Sequence, residues 1–216
     1  MMMKSLELPS LYVEGQSDLH TIVQLLARHD IVLDKDSGPV SVKDAGGDNG
    51  VLGAMRTAAR ASTNQSVGFV VDANGSVASR WQSICDRFSN LGLDLPDVAP
   101  PDGYVGSPPE TQAQVGVWIM PDNATDTGSL ETLIQTLVPG DDSLFQHATS
   151  ATAEAKQSHA AKFPDQDQNK AELHCWLAWQ KEPGLSFGTA LKVQYFAHDS
   201  NEAIAFIDWF RRLFNI

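Results

Sequence analysis

The segment Val67–Asp72 constrains the fold of this chain most strongly, because it is nearly all apolar and ends in an acid. Such a run, rich in β-branched and aromatic residues, predicts a strand that is covered on both faces. Strands of this kind occur in parallel sheets with helices on either side. The rest of the chain is therefore expected to contain helices that cover both faces of the sheet.

Further apolar segments of strand length occur at 11–13, 40–43 and 115–120. Between them, apolar residues recur at helical spacing over 19–29, 50–62, 76–91 and 128–137. This alternation predicts an α/β sandwich with a mainly parallel central sheet flanked by helices. We expect one domain over 1–216, with 92–110 as a loop or hairpin insertion, since it holds five prolines and three glycines. Residues 140–216 are expected to form a helical C-terminal elaboration.

The chain has 216 residues and a net charge of -12, from 15 Lys and Arg against 27 Asp and Glu. This balance opposes non-specific binding to nucleic acid, which depends on basic patches. A nucleic-acid role would need a local positive face or bridging metal ions. No apolar run approaches the roughly 20 residues of a membrane span, and residues 1–7 lack the apolar core of a signal peptide. We therefore expect a cytoplasmic protein without membrane segments.

Two predicted strands end in acids, Glu14 and Asp72, and each acid is followed by a small residue and a turn. Ligands of parallel sheets gather at the carboxyl ends of the strands, so both carboxylates are expected in one cleft. Asn74 lies two residues after Asp72, and Asp18 lies one helical turn after Glu14. Hard oxygen ligands of this kind suit Mg²⁺ or Mn²⁺. The alternative is that Glu14 and Asp72 only cap the helices that follow them.

The segments 11–18 and 68–74 resemble the Toprim signature, which has a Glu after the first strand and an Asp-x-Asp after a later one. The remainder of the chain is similar to DUF3226, a Toprim-related bacterial family of unknown function. The matching stretches are Ser79-Arg80-Trp81, Trp118 to Asn123, Gly128 to Glu131, Lys170 to His174, Trp176 to Gln180 and Pro183-Gly184.

This resemblance implies divalent-metal phosphodiester chemistry, since Toprim domains occur in topoisomerases, primases and nucleases. It implies that Glu14 is a general acid/base or metal ligand and that Asp72 is a metal ligand. Asn74 replaces the usual second aspartate, which removes one negative charge and weakens coordination at that position.

Five further side chains are candidates for the same cleft. Asp122 can add a metal ligand, and Glu131 lies near the start of the next helix. Lys170 and His174 are four residues apart and share a helical face, where Lys170 can stabilise phosphoryl charge in catalysis and His174 can contact phosphate. Arg80 can bind phosphate. The alternatives are a solvated Lys170, a buried structural His174 and an ion pair for Arg80.

The leading hypothesis is a Mg²⁺- or Mn²⁺-dependent phosphodiester hydrolase, a Toprim nuclease that acts on DNA or RNA. One alternative is a catalytically degenerate Toprim-fold protein that binds a nucleotide or a partner. Another is a metal-dependent phosphohydrolase for a small substrate, which tolerates the acidic surface better. A turn at Gly46-Gly47 before a helix can also receive an anion, although it lacks the residues of a P-loop.

Overall fold

A computed structural model describes residues 8–33, 38–62, 64–109, 111 and 113–216. These residues form a mixed α/β fold with five strands and eight helices in the described ranges. The strands are β1 Ser10–Val13, β2 Ser41–Asp44, β3 Val67–Asp72, β4 Tyr104–Gly106 and β5 Val115–Met120. The helices are α1 Gln16–Ala27, α2 Asp48–Ala61, α3 Val77–Phe88, α4 Leu130–Gln135, α5 Ser143–Ser158, α6 Gln168–Ala178, α7 Phe187–Lys192 and α8 Asn201–Phe214.

The strands form one sheet in the order β2-β1-β3-β5-β4. β2, β1, β3 and β5 are parallel, and only β4 runs antiparallel, at the edge beside β5. The predicted α/β sandwich with a mainly parallel sheet is therefore confirmed, and the architecture is Rossmann-like. The insertion predicted over 92–110 contributes strand β4 to this sheet.

Two apolar cores lie on opposite faces of the sheet. Val67, Phe69 and Val71 of β3 face the core that contains α2 and α3. Val70 faces the larger core, which contains α1, α4, α6, α7 and α8. The alternation along β3 explains why the strand is apolar on both faces, as its sequence predicted.

Two glycines let α8 approach the central strands closely. Gly68 of β3 and Gly116 of β5 are directly paired across the sheet. A Cβ built on Gly116 would come within 2.5 Å of Leu213 on α8, and one on Gly68 within 2.7 Å of the same side chain. These residues are glycine because the Leu213 side chain fills the space that larger side chains would need.

The loop between β5 and α4 is tied to the turn between β3 and α3. The N–H of Ala73 donates to the carbonyl of Gly128 at 3.0 Å, and the N–H of Val77 donates to the Asp126 carboxylate, also at 3.0 Å. This places the start of α4 beside the end of β3. Across the described ranges, every helix is too short or too polar to cross a membrane.

Candidate functional site

The sheet has its topological switch point between β1 and β3. From β1 the chain passes through α1 to β2 on one side, and from β2 it passes through α2 to β3 on the other side. α1 and α2 belong to the two opposite cores, so a crevice opens beyond the carboxyl ends of β1 and β3. Glu14 directly follows β1, and Asp72 is the last residue of β3. Strand order therefore brings the two predicted acids to the position where α/β sheets bind ligands.

Glu14 and Asp72 are joined by a hydrogen bond, as the N–H of Asp72 donates to Oε1 of Glu14 at 3.1 Å. Together with Asp18 they line one small cavity of about 10 Å³, whose remaining walls are apolar side chains of β1, α1, β3, β5 and α4. A space of this size accepts one water or one ion. The arrangement concentrates three carboxylates around a volume too small for a nucleotide base.

Asp72 is the most perturbed of these acids. Burial raises its pKa to about 8, and the negative charges of Glu14, Glu131 and Asp18 add to this effect. One contact opposes it, because the N–H of Leu130 at the start of α4 donates to Oδ1 of Asp72 at 3.2 Å. At neutral pH the Asp72 carboxyl is therefore mostly protonated, and a bound cation would favour its ionised form.

Burial also raises the pKa of Glu14 and that of Asp18 above their ordinary values. For Glu14 the hydrogen bond from Asp72 acts in the opposite direction, and the negative charge of Asp48 adds to the rise. For Asp18 a hydrogen bond from Gly15 lowers the pKa, while the charge of Glu131 raises it. Burial is thus the main reason why all three acids bind protons more tightly than free carboxyl groups, and the neighbouring acids add to it.

Arg80 lies beside this cluster in an ion pair. Its Nη1 is 2.8 Å from Oδ1 of Asp48, and its side chain is only 7% exposed. Asp48 begins α2 directly after Gly47, whose N–H donates to the carbonyl of Glu14 at 2.6 Å. Arg80 therefore balances Asp48 on the α2 side of the site, and burial limits its access to a substrate.

The sequence suggested an anion site at the turn Gly46-Gly47. In the structure, the N–H groups of both glycines already donate hydrogen bonds within the protein. Gly46 donates to the side chain of Asp44 at 2.8 Å, and Gly47 donates to Glu14 as described. The turn thus holds β1 and β2 together, and these two donors are not available to an anion.

Lys170 and Glu131 form the α6 side of the site, with Nζ of Lys170 3.0 Å from Oε1 of Glu131. The charge of Glu131 raises the pKa of Lys170 above its ordinary value, so the ammonium is charged at neutral pH. The Lys170 side chain is 52% exposed and the Glu131 side chain 19%. This pair places one accessible cation at the edge of the acidic cavity.

His174 lies one turn after Lys170 and is exposed, with its ring stacked on Phe187 at 4.9 Å between centroids. Burial of its stacked face lowers the pKa of His174, and the nearby charge of Lys170 lowers it further. The imidazole is thus neutral at pH 7 and can accept a proton or a hydrogen bond.

Asn74 and Asp122 lie outside the set of residues that line the cavity. Asn74 is exposed in the turn after β3 and has a left-handed backbone, with φ 51°. Asp122 accepts three hydrogen bonds within its own turn, from the N–H groups of Ala124 and Thr125 and from the Thr125 hydroxyl. Their local roles in these turns account for both residue types.

The donor chemistry of the cavity fits a hydrated divalent cation better than a fully protein-bound one. Among the residues with a described position, no group of three or more His, Cys, Asp or Glu is arranged to hold a metal ion. Mg²⁺ commonly uses only one or two carboxylates and completes its shell with water and substrate phosphate oxygens. Glu14 and Asp72, with Asp18 nearby, fit that mode.

The family model described as "Protein of unknown function (DUF3226)" matches residues 9–215. The chain belongs to the DUF3226 family. Searches of curated proteins and of solved structures each gave no significant match. The DUF3226 match includes every strand and helix of the fold, and with them Glu14, Asp18, Asp72 and Lys170.

Sequence reasoning missed two contributors to the DUF3226 site. The charge of Asp48 raises the pKa of Glu14 because β2 lies next to β1 in the sheet. The position of Asp48 after Gly46-Gly47 was the only sequence feature that could have indicated this proximity. The Leu130 N–H is a backbone group, so no residue type could reveal it.

Proposed function

We propose that this DUF3226 protein is a divalent-metal-dependent phosphodiester hydrolase, a Toprim-like nuclease. The observation that carries the proposal is the meeting of Glu14 and Asp72 at the switch point, where burial keeps the Asp72 carboxyl largely protonated. Groups with strongly perturbed pKa values in a cleft are typical of functional sites. The Toprim resemblance of 11–18 and 68–74 supports the same assignment.

Under this proposal, Glu14 and Asp72 hold Mg²⁺ or Mn²⁺, with Asp18 close to the same volume. The bound cation would supply charge neutralisation at the scissile phosphate and a more acidic water. Oε1 of Glu14 already accepts the Asp72 N–H, so Oε2 would be the oxygen that either binds the cation or takes a proton from the attacking water.

Lys170 supplies the positive charge that a phosphate substrate needs. Its ammonium is half exposed and lies beside Glu131, at the edge of the cavity. Placed against a phosphate oxygen, it would stabilise the charge that develops during transfer. The neutral His174 ring, one turn further along α6, would donate or accept a hydrogen bond at the same phosphate or at the leaving oxygen.

A second candidate function is binding without catalysis, by a degenerate Toprim fold. Two observations favour it: Asn74 stands outside the cavity lining, and in the described part of the chain three acids are not arranged around one metal. The net charge of -12 also disfavours a long nucleic-acid footprint. A small phosphate-containing ligand fits this candidate better than duplex DNA.

The test combines metal binding with cleavage. Wild type, Glu14→Gln and Asp72→Asn are titrated with Mn²⁺ and Mg²⁺ by calorimetry, and then assayed on single-stranded DNA, duplex DNA, RNA and nucleotides. Glu182→Gln and Asp97→Asn are matched controls, since both acids are exposed and outside the cavity lining.

We expect metal-dependent cleavage that falls by about 100-fold or more in both site variants and is unchanged in the controls. Cleavage at the wild-type rate in both site variants, with folding retained, would refute the mechanism. Binding of a nucleotide or an oligonucleotide without metal and without cleavage would support the second candidate instead.

A further inference from the structure

Glu172 of α6 is a buried carboxylate, only 6% exposed. Its Oε2 accepts a hydrogen bond from the Gln135 amide at 3.0 Å, and its Oε1 accepts one from the Gln168 amide at 2.8 Å. Among the ion pairs of the described residues, none includes Glu172. A buried polar group needs hydrogen-bond partners, so Glu172 depends on Gln135 and Gln168 to keep its position.

The partner Gln135 lies on α4, the short helix that contacts Asp72. α4 begins at Leu130, whose N–H donates to Oδ1 of Asp72 at 3.2 Å. A helix of six residues has little stability of its own and depends on tertiary contacts for its position. The hydrogen bond to Asp72 therefore depends on what holds α4.

We define the α4–α6 contact as the three polar pairs that join these helices. They are Glu172 with Gln135, Lys170 with Glu131 at 3.0 Å, and Asn169 with Thr132 at 3.3 Å. Two of the pairs are at the surface or half-buried, where single interactions contribute little. Glu172 is the most buried member of these pairs, and a hydrogen bond from an amide to a carboxyl group is of the stronger kind.

We propose that Glu172 is a positioning residue for Asp72: it holds α4 through Gln135, so that the Leu130 N–H stays against the Asp72 carboxylate. Glu172 does not contact the cavity itself. The consequence for metal binding rests on the proposed function, in which Asp72 is a ligand. The structural link from Glu172 to Leu130 does not depend on it.

The test uses Glu172→Met, which keeps the volume and removes the acceptor. Amide hydrogen exchange is measured at Leu130, with Val70 in the central strand as the internal reference. Because Met fills a similar volume and leaves no polar group of its own to satisfy, the free energy of unfolding should stay close to the wild-type value. Exchange at Leu130 should nevertheless become about tenfold faster, while exchange at Val70 stays the same.

Glu172→Gln is the matched control, since its carbonyl accepts from Gln135 and its amide can donate to a rotated Gln168 side chain. It should keep the wild-type exchange rate at Leu130. Gln135→Met breaks the same pair from α4 and should also speed exchange at Leu130 more than at Val70, which covers a failure of Glu172→Met to fold. It should in addition lower the free energy of unfolding, because Glu172 stays buried with one partner fewer. Mn²⁺ affinity should fall about fivefold in the two Met variants and not in Glu172→Gln.

Wild-type exchange at Leu130 in both Met variants would overturn the proposal. So would equal acceleration at Leu130 and Val70, since that marks general destabilisation. If wild type binds no Mn²⁺ but Leu130 exchange responds as expected, the positioning role stands and the proposed metal function fails.

Discussion

Neutralising Asp72 should make the protein more stable while weakening the proposed metal site. The variant is Asp72→Asn, whose carbonyl can still accept the hydrogen bond from the Leu130 N–H. In the wild type, burial and neighbouring acids raise the pKa of Asp72 from its ordinary 3.8 to about 8. Between these two values the folded state binds more protons than the unfolded state, so stability falls as pH rises.

The size of the stability change follows from the interval between the two pKa values of Asp72. Each pH unit between the two pKa values removes about 1.4 kcal/mol from the free energy of unfolding, which gives about 4 kcal/mol at pH 7. Asp72 is only partly buried by side-chain exposure, and solvent screens part of the effect, so we expect about half of this, or about 2 kcal/mol. The loss stops growing above about pH 8, where the folded carboxyl is ionised as well.

The assay is urea denaturation at pH 4, 7 and 8.5 for wild type, Asp72→Asn and the exposed control Asp97→Asn. Asp72→Asn should match wild type at pH 4 and exceed it by about 2 kcal/mol at pH 7 and by about 3 kcal/mol at pH 8.5. Asp97→Asn should show no such pH-dependent gain. A difference that does not change with pH, or a variant less stable than wild type at pH 8.5, would refute the electrostatic reasoning.

Three further predictions concern packing, the buried ion pair and the surface cation. Gly116→Ala should lower the free energy of unfolding by about 1–3 kcal/mol in urea, because its Cβ would lie 2.5 Å from Leu213, and an unchanged midpoint would contradict the packing. Asp48→Asn should lower the free energy of unfolding by about 3 kcal/mol, because it leaves Arg80 buried without its charged partner. In the same assay, a double variant with Asp48→Leu and Arg80→Met should recover most of this lost stability. Lys170→Met should change stability by less than about 1 kcal/mol and leave Mn²⁺ binding intact while cleavage falls, whereas loss of folding would show a structural role.

The two central acids of the site were predictable from sequence for a topological reason. Strands of a parallel sheet end at the same edge, so residues that follow two neighbouring strands must meet there. Glu14 and Asp72 obey this rule, and Asp18 follows one helical turn after Glu14. The rule needs only the apolar strand pattern, which is strong in β3 and β5.

The rest of the site depended on information that a residue pattern does not carry. Asn74 was expected near Asp72 from its spacing and from the Toprim resemblance; it lies in an exposed turn with a left-handed backbone and does not line the cavity. Asp122 follows an apolar strand as Asp72 does, but its carboxylate is bonded to the next residues of its own turn. The direction of a side chain in a turn depends on the backbone angles, and the spacing of a residue from the preceding strand does not determine those angles.

Short elements were the part of the fold that periodicity did not reveal. α7 has six residues, fewer than two turns, and its sequence predicted no element. Its Gly188 packs on α1, where a Cβ would lie 2.8 Å from the carbonyl of His20. β4 has three residues and is recognised only by its antiparallel pairing with β5.

The close fit of α8 against Gly68 and Gly116 also bears on how the chain folds during synthesis. α8 covers the middle of a sheet whose first strand lies nearly 200 residues earlier, and Trp209 packs on Trp118 of β5. Until residues 201–214 leave the ribosome, the part of this face that α8 covers, including Trp118, remains available to other chains. Contacts of such long sequence separation form slowly, so the nascent protein should be a substrate for chaperones that bind exposed apolar sheets.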